Sequence, residues 1–163
     1  TNYMWFCLNF MRTQSFPKAG FAAGPCLFKD TMQLSSFDNN KFFLGHSAML
    51  INEGMPAFIV EQLSIKYNLK DKVVGILGMA FKAESDDPRS SLSYKLKKML
   101  DISSKKLICS DEYIDDKRFV TKEELIDKSD IIILGVPHNN YKDLRIASTK
   151  IVYDMWDFLK VER

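Results

Sequence analysis

The feature that most constrains this chain is a change of grammar near Asp71, after which short apolar runs alternate with helical patterns. Val73-Val-Gly-Ile-Leu77 ends at Gly78, as a strand buried on both faces would. A helix is expected from Ser90 to Leu100, with Leu92, Leu96, Met99 and Leu100 on one side. Lys106 to Cys109 makes a second strand, Lys122 to Lys128 a short helix, and Ile131 to Val136 a third strand. Ile151-Val-Tyr-Asp154 is a fourth. Strands that alternate with helices predict an α/β fold with a parallel sheet, whose ligands gather at the carboxyl ends of the strands.

Before Asn68 the spacing is helical. Asp30-x-x-Gln33 resembles a capping pair at a helix start. Asp38-Asn39-Asn40 is expected to separate a first helix from a second, and Pro56 to open a third through Ile65. The expected division is a helical segment over 1–70 and an α/β domain over 71–163.

Composition narrows the function classes. The 163 residues are 46% hydrophobic and 27% charged, which suits a globular chain with a real core. Lys and Arg total 23 against 21 Asp and Glu, without the basic excess of a nucleic-acid binder. No run approaches the roughly 20 apolar residues that span a bilayer. The apolar opening, Thr1 to Phe10, lacks the basic flank of a signal peptide. Cys7, Cys26 and Cys109 have no paired spacing, which argues for a reducing, cytoplasmic setting and against a zinc site.

Two segments could carry chemistry. In Gly20-Phe-Ala-Ala-Gly-Pro-Cys-Leu-Phe-Lys-Asp30, small residues precede Cys26, then Lys29 and Asp30, then a helix. A thiol ahead of a helix N-terminus and near an ammonium gains thiolate character. On composition alone the plainer alternative weighs more: a small buried residue in a tight loop. The second segment, Gly75 to Ser91, puts Gly78 just after a strand, with Lys82 and Arg89 as phosphate-binding candidates. Its Gly-x-x-Gly is not a dinucleotide fingerprint, and Asp86, Asp87 and Arg89 also read as solvated charges at a helix entry.

His46 reads as a polar helix residue. His138, after Val136-Pro137, stands where a ligand edge is available, though a capped surface turn is the plainer reading. Trp5, Trp156 and the eight Met read as core or interface filler.

In this order, FAAGPCLFKD and GMAFKAESDDPR resemble the nucleotide-sugar 6-dehydrogenases, the UDP-glucose/GDP-mannose dehydrogenase family. INEG, SDIIILGVPH and IVYDMW add to the likeness, which runs from about Phe16 to Leu159. The resemblance implies NAD-dependent oxidation of the 6-hydroxyl of a UDP- or GDP-linked sugar to the uronic acid, by way of a cysteine thioester. It implies that Cys26 is the nucleophile and that Asp30 acts on the hydrolytic water. Lys29 and Arg89 would then face the NAD cofactor, and Lys18, Gly20, Phe21, Phe81 and Lys82 the nucleotide-sugar substrate. It also implies a homodimer built through the central helices.

Departures accompany the matches. No strand–Gly-x-Gly-x-x-Gly–helix unit stands ahead of Gly20, and no lysine precedes Lys18 to act as the family's central-helix lysine. Asp154-Met-Trp-Asp157 stands where some members carry a terminal arginine. The expectation is a carboxyl-terminal portion of such an enzyme, matching from Arg12 onward, which does not turn over alone. Two alternatives remain at this point: a non-catalytic nucleotide-binding or assembly module of the same ancestry, and a plain α/β interaction domain.

Overall fold

In a computed structural model, residues 20–159 are described. Lys18 and the opening apolar stretch lie outside them. Helix α1 (Leu27–Phe37) is followed by the long α2 (Phe43–Lys66). Then come β1 (Val73–Leu77), α3 (Leu92–Ser103), β2 (Lys106–Ser110), α4 (Lys122–Lys128), β3 (Ile131–Leu134) and β4 (Ile151–Asp154). The four strands form one parallel sheet in the order β2-β1-β3-β4. The fold is α/β, as the alternation predicts.

Successive side chains of a strand point to opposite faces, so β1 serves two cores. Val74 and Ile76 join Ile59 and Leu63 of α2 and Leu96 and Leu100 of α3. On the other face, Leu77 packs with Leu125 of α4, Ile132 and Tyr141. Gly75 makes room for α4, since a Cβ there would overlap Leu125 and the Ser129 hydroxyl.

The helical half differs from expectation in two places. Asp30 does not cap α1. Cys26 occupies the N-cap without a side-chain cap bond, and Asp30 lies within the first turn, its N–H donating to the Cys26 carbonyl at 2.8 Å. A carboxylate there still faces the positive end of the helix. Pro56 does not open a new helix either, for it is buried inside the continuous 24-residue α2. Proline removes one helical N–H, and the burial of Ile59 and Leu63 one turn and two turns later carries the helix past it. The Asp38-Asn-Asn break is where it was expected: Asn39 and Asn40 adopt φ of 48° and 59°, left-handed values that Asn tolerates.

The sheet boundaries shift slightly. Strand β3 stops at Leu134 because the Gly135 and Val136 N–H groups both turn back to the Leu77 carbonyl, at 2.8 and 3.2 Å. Helix α3 starts at Leu92 because the Ser91 hydroxyl caps it, accepting the Ser93 N–H. Among the described residues, no helix is long and apolar enough to cross a membrane.

Candidate functional site

The loop before α1 crosses the carboxyl ends of the strands. Gly20 has φ 135° and lies so close to the Trp156 ring that any Cβ would overlap it. Phe21 is buried in the core, 8% exposed, so its ring packs inward and not toward solvent. Asn52 of α2 holds the next residue at both ends. Its Oδ1 accepts the Ala22 N–H at 2.9 Å, and its Nδ2 donates to the Ala22 carbonyl at 2.5 Å. Gly24, with φ 131°, then presents its α-carbon to the Phe81 ring, where an added Cβ would stand 3.1 Å from the ring edge.

This geometry brings the two sequence motifs together. Cys26 is exposed at the N-terminus of α1, which overturns its reading as a small buried residue. The Lys29 ammonium lies 3.3 Å from the Asp30 carboxylate, with both side chains largely in solvent. Across the gap, the Lys82 ammonium lies 5.4 Å from the centroid of the Phe81 ring. Arg89 forks onto Asp87, with Nε 3.0 Å from Oδ1 and Nη2 2.7 Å from Oδ2. That hydrogen bonding raises the guanidinium pKa and lowers that of Asp87, and the Cys26 sulfur adds a smaller raising influence on Arg89. Asp87 is thus an orienting partner of Arg89 and not simply a solvated charge. The Arg89 side chain remains 72% exposed.

The base of the 81–89 loop is tied by the Phe81 N–H donating to the Asp87 carbonyl (3.0 Å) and by the Ser91 hydroxyl donating to the Ala80 carbonyl (2.9 Å). Sequence reasoning missed the other support. Asp111, just past β2, accepts the Met79 and Ala80 N–H groups on Oδ2 at 2.6 and 3.1 Å. Its Oδ1 accepts those of Tyr113 and Ile114 at 2.8 and 3.1 Å. His138 is no surface turn residue, for it is fully buried. Its Nδ1 accepts the Glu84 N–H at 3.0 Å, so the ring proton sits on Nε2, 3.2 Å from Asp111 Oδ2.

Burial alone would raise the Asp111 carboxyl. The hydrogen bonds from His138 and from the Met79 and Tyr113 N–H groups outweigh it and bring the pKa down to about 2. Glu84 takes a hydrogen bond from the Tyr113 hydroxyl at 2.5 Å and one from the Asn139 N–H at 2.7 Å, which lower its pKa in that order. The available signal was position: Asp111 and His138 each follow a strand at the ligand-facing end of the sheet. Among the described residues, no cluster of three or more His, Cys, Asp or Glu could hold a metal.

A parallel sheet with glycine turns, bordered by a loop that carries an exposed thiol, defines an α/β protein of the class whose ligands lie at the carboxyl ends of the strands, with a cysteine at that rim. The comparisons narrow that class. Residues 75–161 match the UDP binding domain of the UDP-glucose/GDP-mannose dehydrogenase family. The UDP-N-acetyl-D-mannosamine dehydrogenase of Pyrococcus horikoshii is 30% identical over 149 residues, covering 84% of this chain and 35% of that protein. A solved UDP-D-ManNAc dehydrogenase from the same organism superposes with a TM-score of 0.76 at 26% identity, over 97% of this chain and 41% of that one. The GDP-mannose dehydrogenase of Pseudomonas aeruginosa shares the fold, with a TM-score of 0.74 at 24% identity over 96% and 42%. This chain belongs to the UDP-glucose/GDP-mannose dehydrogenase family, and it spans about a third of the length of the curated relative from Pyrococcus horikoshii.

Proposed function

We propose that this chain forms the nucleotide-sugar side of an NAD-dependent nucleotide-sugar 6-dehydrogenase. The observation that carries the reading is the seat of Gly24 beneath Phe81, which sets the Cys26 loop against the Phe81–Lys82 segment. In this reading 1–70 is part of a helical dimerisation domain, and 71–163 is the UDP- or GDP-sugar-binding domain. Lys82 offers an ammonium to the diphosphate and Phe81 an apolar surface, while Gly20, Phe21 and Lys18 border the sugar.

NAD, when bound, supplies the hydride acceptor for each of the two oxidation steps. The residues present suit its pyrophosphate: Lys29 and Arg89 are exposed cations near Cys26, and Arg89 keeps Nη1 out of its pairing with Asp87. The work of the chain itself is at the sugar carbon. The Cys26 thiolate adds to the carbon of the 6-aldehyde, and loss of a hydride from that adduct leaves a thioester. Asp30 accepts a proton from the water that attacks the thioester carbonyl, and the thiolate departs as the uronic acid forms. The exposed apolar residues of α1 and α2 supply the surface for a homodimer.

Calorimetric titration of the purified chain with UDP, GDP and NAD⁺ in separate runs tests the reading. A nucleoside diphosphate is expected to bind, and Lys82→Ala to weaken it. Binding that ignores Lys82→Ala, or silence from both UDP and GDP, would overturn it.

A further inference from the structure

In a parallel sheet of this strand order, a nucleotide ordinarily lies in the crevice between the turns that follow β1 and β3. Its phosphates take backbone N–H groups at the first of those turns. Here the protein fills that place itself. The two turns touch: a Cβ on Gly78 would overlap the Val136 backbone, and one on Gly135 would overlap the Gly78 carbonyl. The turn donors are consumed as well. The Gly78 N–H donates to the Ser110 carbonyl at 2.8 Å, and those of Met79 and Ala80 go to Asp111 Oδ2. His138, with no exposed surface, backs the same carboxylate oxygen and ties it to Glu84.

We infer that Asp111, held by His138, is a specificity-determining and positioning residue: it occupies the anion cradle of the β1 turn from within, closes the crevice to a dinucleotide, and holds Phe81 and Lys82 outward for a nucleoside diphosphate. The role is indirect, since Asp111 is buried behind the loop and Phe81 and Lys82 follow immediately on the N–H groups it anchors. The Glu84 end extends the hold to the far side of the loop, through Tyr113 and Asn139. The inference rests on the assignment of Phe81 and Lys82 as nucleotide-sugar contacts.

The test compares the wild-type chain with Asp111→Ala by titration with UDP, GDP and NAD⁺ and by thermal melts with and without sodium formate. Formate is a carboxylate small enough to replace the one removed. The wild type is expected to bind a nucleoside diphosphate with a melting temperature indifferent to formate. Asp111→Ala should bind that nucleotide about tenfold more weakly, the scale of one lost charged hydrogen-bonding group. Formate should raise its melting temperature and restore part of its affinity, a rescue that a generally loosened fold would not show. Wild-type affinity in Asp111→Ala, or no response to formate, would overturn the inference. So would NAD⁺ binding to the wild type that survives Lys29→Ala combined with Arg89→Ala, because a dinucleotide would then occupy the crevice.

If Asp111→Ala does not fold, Asp111→Asn decides, because it keeps the size and loses the charge and one acceptor: weaker nucleotide binding supports the role, and unchanged binding removes it. If the wild type binds neither UDP nor GDP, the nucleotide-sugar reading itself fails, and the formate response alone judges the occupied cradle.

Discussion

Asp111 gives the clearest residue-scale prediction, because its carboxylate is both buried and fully engaged. Its folded pKa of about 2 lies below the ordinary aspartate value of 3.8. A depressed carboxyl pKa contributes stability that is complete above the unfolded value and is lost as pH falls through the folded one. About 2 kcal/mol should therefore disappear between pH 4 and pH 2, by the linkage of protonation to folding. Urea melts across that window should show the gap between wild type and Asp111→Asn narrowing as the pH drops.

The two thiols provide a second contrast. Burial pushes Cys109 up to about 11, whereas Cys26 is exposed. Iodoacetamide is expected to label Cys26 in the folded chain and Cys109 only after denaturation, as peptide mapping by mass spectrometry would show. Composition alone points the other way for Cys26. A cysteine type is usually buried, and only the three-dimensional path of the loop decides whether a particular one is.

At the scale of elements, the Asn52 contact joins α2 to the loop that bears Cys26. Asn52→Leu removes both bonds to Ala22 and should cost about 1–2 kcal/mol. Amide exchange over residues 20–26 should quicken more than over the sheet, and uniform quickening would deny Asn52 a local role. The strands were legible in the sequence because each is a compact apolar run, and β1, α4 and β4 fall on the expected boundaries. The helical half was less so. Pro56 ordinarily marks a helix start, and its place inside α2 follows from long-range packing on β1 that spacing cannot encode. The Cys26 and Phe81 loops were legible as motifs. Their contact was not, because it depends on the left-handed turn at Gly24. Asp111 and His138 were hidden for a related reason: polar residues at strand ends read as solvated until the loops fold over them.

At the scale of the whole molecule, the sheet is covered by α2 and α3 on one face and α4 on the other, while among the described residues none covers the outer side of α1 and α2. Phe37, Phe43, Leu44, Ile51 and Ile65 are all among the exposed large hydrophobics. A face of that kind ordinarily meets a partner, and the proposed homodimer would cover it. Sedimentation velocity is expected to show self-association that Leu44→Asp with Ile51→Lys reduces. A chain that stays monomeric at all concentrations would oppose the dimer.

The all-parallel pairing also has a kinetic consequence. Val74 lies beside Leu107 on one side and beside Ile131 on the other, so neither neighbour of β1 arrives through a hairpin. Each pairing closes a long stretch of chain before any ladder bond compensates for the lost freedom, and contacts so distant in sequence slow the search for the native state. Refolding should show helical signal first and the central strand register later, with Gly78 and Gly135 meeting only when that register is complete. The rim that carries Phe81 and Lys82 is then the last part of the molecule to be assembled.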